Sequence, residues 1–343
     1  MTGNKAKFEE HHAQKTMKRV ALLLHEDVYA SSIGGVLDLF ADANDCLQEG
    51  GKPPVFALEL VGDRIKNIQL DVPAQFLCYT TMDKIQQPDL IIIPGFKGDA
   101  RTILKKYDTV VTWIREMRRQ GVEIASMCTG SLFLAEAGLL DGKAATSHWA
   151  MAEEMRTRYP SVNVASDRII TDQEGIYTSG GGFSALKLIL YLVEKFCGRQ
   201  IVLDVSKRLS IDIDYISQAH FAVFAGQRKH ADEDILRSQT FIEQNYAANI
   251  SIDQVSSLCN MGKRNFIRRF KAATNNTPIE YLQRVRVEAA KKALENEDCG
   301  LDDLMVRAGY EDIKAFRLIF KRITGLSPRD YRKKYARREH IAG

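Results

Sequence analysis

The spacing of apolar positions changes rhythm part-way along the chain. Short unbroken apolar runs at Val20 to Leu24, Phe56 to Val61, Leu90 to Ile93 and Ile124 to Ser126 are separated by longer mixed stretches. Their length and β-branched content predict strands buried on both faces. Between them, Gly34 to Asn44 and Val110 to Arg119 carry apolar residues at helical spacing and predict helices. Buried strands joined by helices imply a parallel α/β sheet. Beyond residue 232 no strand-like run remains, and the pattern is helical with breaks at Asn260, Asn275-Asn276, Gly300, Gly309 and Gly325.

The helical part repeats itself. Ile252 to Cys259 predicts a short amphipathic helix, Asn260-Met261-Gly262 a turn and Lys263 to Thr274 a second helix. Phe266, Ile267 and Phe270 are its apolar anchors, and Lys263, Arg264, Arg268, Arg269 and Lys271 its charge. The layout recurs as Leu301 to Ala308, the turn Gly309-Tyr310-Glu311 and Asp312 to Ile323, anchored by Phe316, Ile319 and Phe320 and charged by Lys314, Arg317, Lys321 and Arg322. Pro278 to Asn296 joins the two units as one long helix, with the proline in the first turn, where a missing N–H costs nothing. A short helix, a tight turn and a basic second helix is the layout of a helix-turn-helix, whose second helix enters the major groove of DNA.

Charge sharpens that reading. The 343 residues carry 48 Lys plus Arg and 44 Asp plus Glu, net +4. Residues 1–232 hold 27 basic and 29 acidic side chains, net −2, whereas 233–343 hold 21 and 15, net +6. The second part therefore suits a polyanion, and the first needs none. No apolar run approaches the ~20 residues that cross a bilayer, and the first 18 residues, with Glu9-Glu10-His11-His12, lack an apolar signal core. A cytoplasmic protein with no membrane partner is expected. Six cysteines stand singly, which is neither a disulfide framework nor a zinc signature, so neither a metal nor a cofactor is expected.

The densest chemistry of the first part is Ile124-Ala125-Ser126-Met127-Cys128-Thr129-Gly130-Ser131, where a strand ends, the chain turns at Cys128 and a helix over Leu132 to Gly138 begins. That is the arrangement of a nucleophile elbow, and the helix dipole should depress the thiol pKa. A small residue filling a tight turn fits the same spacing. The stretch from Cys128 to His148-Trp149, with Tyr177-Thr178-Ser179-Gly180-Gly181-Gly182 and the helix Phe183 to Cys197, resembles the class I glutamine-amidotransferase-like superfamily, PfpI branch, in the version fused to AraC-type regulators. The resemblance covers about residues 18 to 205 and implies a flavodoxin-like, amidotransferase-like fold. It also implies a base and a charge partner beside the cysteine, and here the corresponding positions are Thr129 and Ser32; no histidine lies between Trp149 and Gln218. No catalytic residue is therefore assigned. The expected site is an effector pocket of Cys128, Thr129, His148, Trp149 and Ser32, the tryptophan offering a ring face to a cation. The effector that the resemblance implies is an amino acid or a quaternary-ammonium metabolite. The alternatives are a thiol-redox regulator acting through Cys128 and a Cys128-dependent amidase or deglycase-like enzyme.

The tandem of helix-turn-helix units, closed by Gly325-Leu326-Ser327-Pro328-Arg329-Asp330-Tyr331-Arg332, resembles the DNA-binding domain of AraC-family regulators. Matched residue by residue, the resemblance implies base readers at Arg264, Ile267 and Arg268 in the first unit and at Lys314, Ala315 and Arg317 in the second. Arg269, Lys271, Lys321 and Arg322 are expected on phosphate, with Arg332-Lys333-Lys334 and Arg337-Arg338 as additional basic residues. The implied organisation is a polar tail over 1–17, an effector and dimerisation domain over 18–205, a junction over 206–232 and an all-α DNA-binding domain over 233–340. The implied partners are promoter DNA, a small-molecule effector, RNA polymerase and a second copy of the chain.

Overall fold

Along β1 (Lys18–Leu23) successive side chains alternate between two cores. Val20 and Leu22 enter one, with Leu39, Phe40 and Leu188, while Ala21 and Leu23 enter the other, with Ile103, Ile114 and Leu132. This period of two on a strand covered on both faces is why the run reads as continuously apolar. The strands β1, β2 (Phe56–Gly62), β3 (Thr80–Thr81), β4 (Leu90–Ile93), β5 (Glu123–Ser126), β6 (Ile170–Gln173) and β7 (Ile176–Ser179) form one sheet in the order β6-β7-β5-β4-β1-β2-β3. All neighbours are parallel except the β6–β7 hairpin at one edge. The helices α1 (Ala30–Glu49), α6 (Leu186–Cys197) and α7 (Arg199–Arg208) contribute to the first core. The second is covered by α2 (Ala100–Lys106), α3 (Asp108–Arg119), α4 (Ser131–Glu136) and α5 (Ala152–Arg158). The computed structural model describes residues 17–213, 217–228 and 230–336.

One helix is much longer than its pattern predicts. Gly34 and Gly35 do not open α1 but lie inside it, because Gly35 is where α6 passes closest. A Cβ at Gly35 would sit 2.6 Å from Leu186 Cδ2, whereas one at Gly34, the expected start, would meet nothing within 4 Å, so Gly35 marks a helix crossing. The helix after Cys128 is shorter than predicted, a 3₁₀ turn over Cys128–Gly130 followed by α4.

The chain divides into two compact units, one ending at Gln218 and the other beginning at Ala219. The second contains α8 (Glu233–Asn245), α9 (Ile252–Leu258), α10 (Lys263–Thr274), α11 (Pro278–Asn296), α12 (Leu301–Arg307), α13 (Ile313–Thr324) and α14 (Pro328–Tyr335). Its local signals repeat at an offset of fifty residues. The α10 and α13 helices end at left-handed Asn275 (φ 53°) and Gly325 (φ 77°), a conformation that asparagine and glycine tolerate best. Thr277 and Ser327 then cap helices that open with Pro278 and Pro328. Thr277 and Glu280 satisfy each other's backbone N–H groups in a capping box. In the first helix-turn-helix Phe266 lies 5.5 Å from Phe270 between ring centroids, and Phe270 meets Tyr281 edge-on at 5.3 Å. In the second, Phe316, Phe320 and Tyr331 repeat the arrangement at 5.8 and 5.5 Å. Met305 of α12 is buried in the second aromatic core.

Among the described residues no helix is long and apolar enough to cross a membrane, and no cluster of three His, Cys, Asp or Glu side chains is placed to hold a metal ion.

Because Phe270 is fully buried between two rings, Phe270→Ala should cost about 3–5 kcal/mol in the C-terminal unit, read by denaturant unfolding. A cost below about 1 kcal/mol would mean that the ring trio does not hold α10 in place.

Candidate functional site

The first site is built where β5 ends. Met127 is still extended and Cys128 turns abruptly into the left-handed region (φ 55°) before α4 begins. A non-glycine residue in that conformation is strained and must be over-determined by its surroundings. Here the Cys128 N–H donates to Gly180 O at 3.2 Å. The hydroxyls of Ser147 and Ser131 donate to Cys128 O at 3.1 and 3.2 Å. Thr129 Oγ1 accepts the Phe96 N–H at 2.6 Å and donates to Phe96 O at 2.9 Å, which ties the turn to the end of β4.

The electrostatics differ from expectation. The thiol is pushed up from its usual pKa, not down, because burial outweighs the backbone N–H groups of Gly182 and Thr129 that face the sulfur. Cys128 is 5 % exposed, and no charged group is among those acting on it. The dipole argument holds for a thiol in water and fails for this one. His148 is held down by burial and therefore neutral at pH 7, with Nδ1 accepting the Ala150 N–H at 3.1 Å. Its ring lies tilted against Trp149 with centroids 5.1 Å apart. The same ring lies directly on Gly181, where an added Cβ would overlap it. His148 thus bears on the Gly180–Gly182 turn, which in turn holds Cys128.

Ser32, also expected in the pocket, is buried in the first turn of α1 and donates its N–H to Tyr29 O at 2.9 Å. Three further residues of this unit were not legible in the sequence. Tyr29 is close enough to Cys128 for the sulfur's charge to help raise the phenol pKa, after burial, and its ring carries the Lys97 ammonium at 5.3 Å. His25, at the carboxyl edge of β1, is buried without a hydrogen-bond partner against Tyr107 at 4.4 Å, and burial lowers its pKa to about 4. Gln218 is 1 % exposed. Its Oε1 accepts the Gly181 N–H at 3.2 Å, and its Nε2 donates to Thr146 Oγ1, Ser147 O and Arg168 O at 3.0, 2.9 and 3.1 Å.

The second site is the pair of basic helices. On α10, Arg264, Arg268 and Lys271 are exposed and Ile267 is half-buried; Arg268 Nη2 donates to Asn265 Oδ1 at 2.9 Å. Arg269 is placed otherwise. Its guanidinium pairs with Asp232 at 2.7 and 3.0 Å and with Asp234 at 3.3 Å, clamping the start of α8, where Asp232 is the cap. The pattern of alternating cations gave no sign of this, because both partners lie more than thirty residues upstream. On α13, Lys314, Arg317, Lys321 and Arg322 are exposed and Ala315 is half-buried. Arg322 Nη2 donates to Gln283 Oε1 at 2.6 Å. Arg332 is half-buried and donates to Cys299 O at 2.7 Å, while Lys333 and Lys334 are exposed, Lys334 lying 3.0 Å from His220 Nε2. Arg337 and Arg338 lie outside the described residues.

Comparison with known proteins assigns both units. The DJ-1/PfpI family profile matches residues 18–195. The chain belongs to the DJ-1/PfpI family. In this member the α/β unit is followed by an AraC-type helix-turn-helix domain, matched over residues 255–334. The HTH-type transcriptional regulator GbdR of Pseudomonas aeruginosa is 25 % identical over 254 residues, 73 % of this chain and 67 % of that one. The isonitrile hydratase of Pseudomonas putida is also 25 % identical, over 244 residues that make up 68 % of this DJ-1/PfpI chain and 98 % of the hydratase. A crystal structure of a candidate transcriptional regulator protein from Vibrio parahaemolyticus shares the fold, with a TM-score of 0.51 at 23 % identity over 56 % of this chain and 99 % of that one. The relatives of this chain thus include both regulators and an enzyme.

Since burial raises the thiol pKa, the thiolate fraction at neutral pH is small. Alkylation of Cys128 by iodoacetamide should be slow at pH 7 and still rising at pH 9, followed by mass spectrometry of the peptide. A rate that levels off below pH 8 would show an activated thiolate and contradict the buried-thiol description.

Proposed function

We propose that this protein is a sequence-specific, DNA-binding transcriptional regulator whose DJ-1/PfpI unit senses a small metabolite. The observation that carries it is the pair of exposed basic helices, α10 and α13, held fifty residues apart on matching aromatic frames in a chain that begins with a DJ-1/PfpI unit. Arg264, Ile267 and Arg268 of α10 are assigned to base edges, with Lys314 and Arg317 of α13; Lys271, Lys321 and Arg322 are assigned to phosphate. Arginine can pair bidentately with guanine O6 and N7, which suits a guanine opposite Arg268. Arg269 is withdrawn from the phosphate set because the clamp on α8 already uses its donors.

Cys128 serves in this reading as a wall of the effector site and not as a nucleophile. No imidazole or carboxylate is among the groups acting on the buried thiol, His148 Nδ1 already accepts the Ala150 N–H, and Ser32 stands where the resemblance implies a charge partner, so the base and orienter that acyl chemistry requires are not in place. The effector is assigned to the Cys128, Thr129, His148 and Trp149 neighbourhood, with Tyr29 added by the structure, and an amino acid or a quaternary-ammonium compound remains the class to try first.

Gln218 supports a route from effector to reader. It holds Gly181 and Ser147, two groups of the turn around Cys128, and it is the last residue of the first unit. From Ala219 onward the chain lies along the second unit. There the buried Lys291 donates to Ala222 O at 2.6 Å, the Phe224 ring meets Tyr281 at 5.0 Å, and Arg228 pairs with Glu243 at 2.6 Å. An effector that prefers one arrangement of the Gly180–Gly182 turn would shift the population of states available to this segment. A cytoplasmic location, a homodimer and an encounter with RNA polymerase complete the proposal.

Two substitutions separate reading from docking. Arg268→Ala should cost about 1–3 kcal/mol on the preferred site and flatten base preference at one position, measured by anisotropy on a set of single-base variants. Lys321→Ala should weaken all sequences alike and lower the salt slope by about one. An unchanged base preference in Arg268→Ala would remove that residue from the reading set.

A further inference from the structure

We propose that Leu318 reads the methyl group of a thymine, so that the two helix-turn-helix units demand different base chemistry at the same place in their footprints. The inference rests on the DNA-reading proposal above and extends it to a residue that the sequence pattern had passed over.

The aromatic frames set the register. Phe266 and Phe316, Phe270 and Phe320, Thr274 and Thr324, and Tyr281 and Tyr331 correspond at an offset of fifty, and all eight are buried. Thr274 and Thr324 even make the same bonds, each hydroxyl donating to the carbonyl four residues back, at 2.8 and 2.9 Å. In this register Arg264, Arg268 and Lys271 of α10 correspond to Lys314, Leu318 and Lys321 of α13. The spacing i, i+4, i+7 puts each trio on one stripe, opposite the phenylalanines. Ala315, the expected reader, corresponds to Asn265 and is half-buried. Leu318 occupies the place of Arg268 and is 72 % exposed, with Lys314, Arg317, Lys321 and Arg322 as its exposed neighbours on the helix.

A single exposed leucine is ordinary on a protein surface and needs no explanation. Its position gives this one meaning. It stands in the middle of the stripe that α13 presents away from its own core, where every other long side chain is a cation. A leucine offers no donor or acceptor, so opposite guanine, adenine or cytosine it would cover polar base edges without pairing them. In the major groove the base-edge group that an alkyl side chain can cover at a gain is the thymine C5 methyl. Arg268 in the first unit asks for paired acceptors, and Leu318 at the matching place in the second asks for a methyl. The two half-sites are therefore not copies of one sequence.

Deoxyuridine tests this directly, because it keeps every hydrogen-bonding group of thymine and lacks only the methyl. The full-length protein would first be given a random duplex library to define its site. Each thymine of the half contacted by α13 would then be replaced singly by deoxyuridine, and affinities read by anisotropy. One position should bind about fourfold more weakly without its methyl, the worth of one buried carbon. Leu318→Ala should bind the thymine and deoxyuridine forms of that position alike, while Arg268→Ala should keep the fourfold difference. Unchanged affinity of Leu318→Ala for the deoxyuridine duplex, relative to the parent, shows that the variant is folded. A parent protein indifferent to every methyl in that half, or a Leu318→Ala variant that keeps the penalty, overturns the assignment. A parent that selects no sequence from the library overturns the DNA-reading proposal beneath it.

Discussion

Everything assigned to DNA depends on one packing constraint, the burial of two phenylalanines of a basic helix against a tyrosine of the helix that follows. Phe266 on Phe270 and Phe270 on Tyr281, and likewise Phe316 on Phe320 and Phe320 on Tyr331, fix which stripe of α10 and α13 can face outward. Because the trio recurs at a fixed offset, the two stripes are set by the same geometry. The exposed residues can then differ without moving the helices: Arg268 in one is Leu318 in the other. Other cations on these helices are used internally, and Arg269 shows it. A residue that reads as one more phosphate contact holds the first turn of α8 instead, through two aspartates.

The first unit is organised by a different constraint, crowding around a strained residue. Cys128 stays in a left-handed conformation because its N–H, its carbonyl and its neighbour Thr129 are all bonded to three other segments, ending near Phe96, Ser147 and Gly180. His148 and Gln218 bear on the same glycine turn from outside it. The burial that fixes this geometry also raises the thiol pKa, which works against a thiolate at neutral pH. The chain is similar both to a regulator and to a hydratase, and a shared frame does not by itself decide between the two roles.

The C-terminal unit was the more legible of the two. The α10 and α11 helices run over the residues predicted for them, because left-handed Asn275 and the Thr277-Pro278 cap and start signals act within a few residues of the boundary they set. The bounds of α1 were not legible, since Gly35 answers to Leu186, some 150 residues away, and not to its neighbours. The direction of the Cys128 shift was missed for a related reason: the dipole is local and readable, whereas burial is a property of the whole fold. Nothing marked Gln218, one of two glutamines in the 206–232 junction.

The central claim is that a metabolite bound by the first unit changes which DNA the second unit occupies. Selection of genomic fragments by the purified full-length protein, sequenced with and without small-molecule extract from cells, tests it most directly. The account predicts a sharp motif with unequal half-sites whose occupancy changes when the extract is added. Binding that responds to salt but is blind to sequence, with or without the extract, would contradict it.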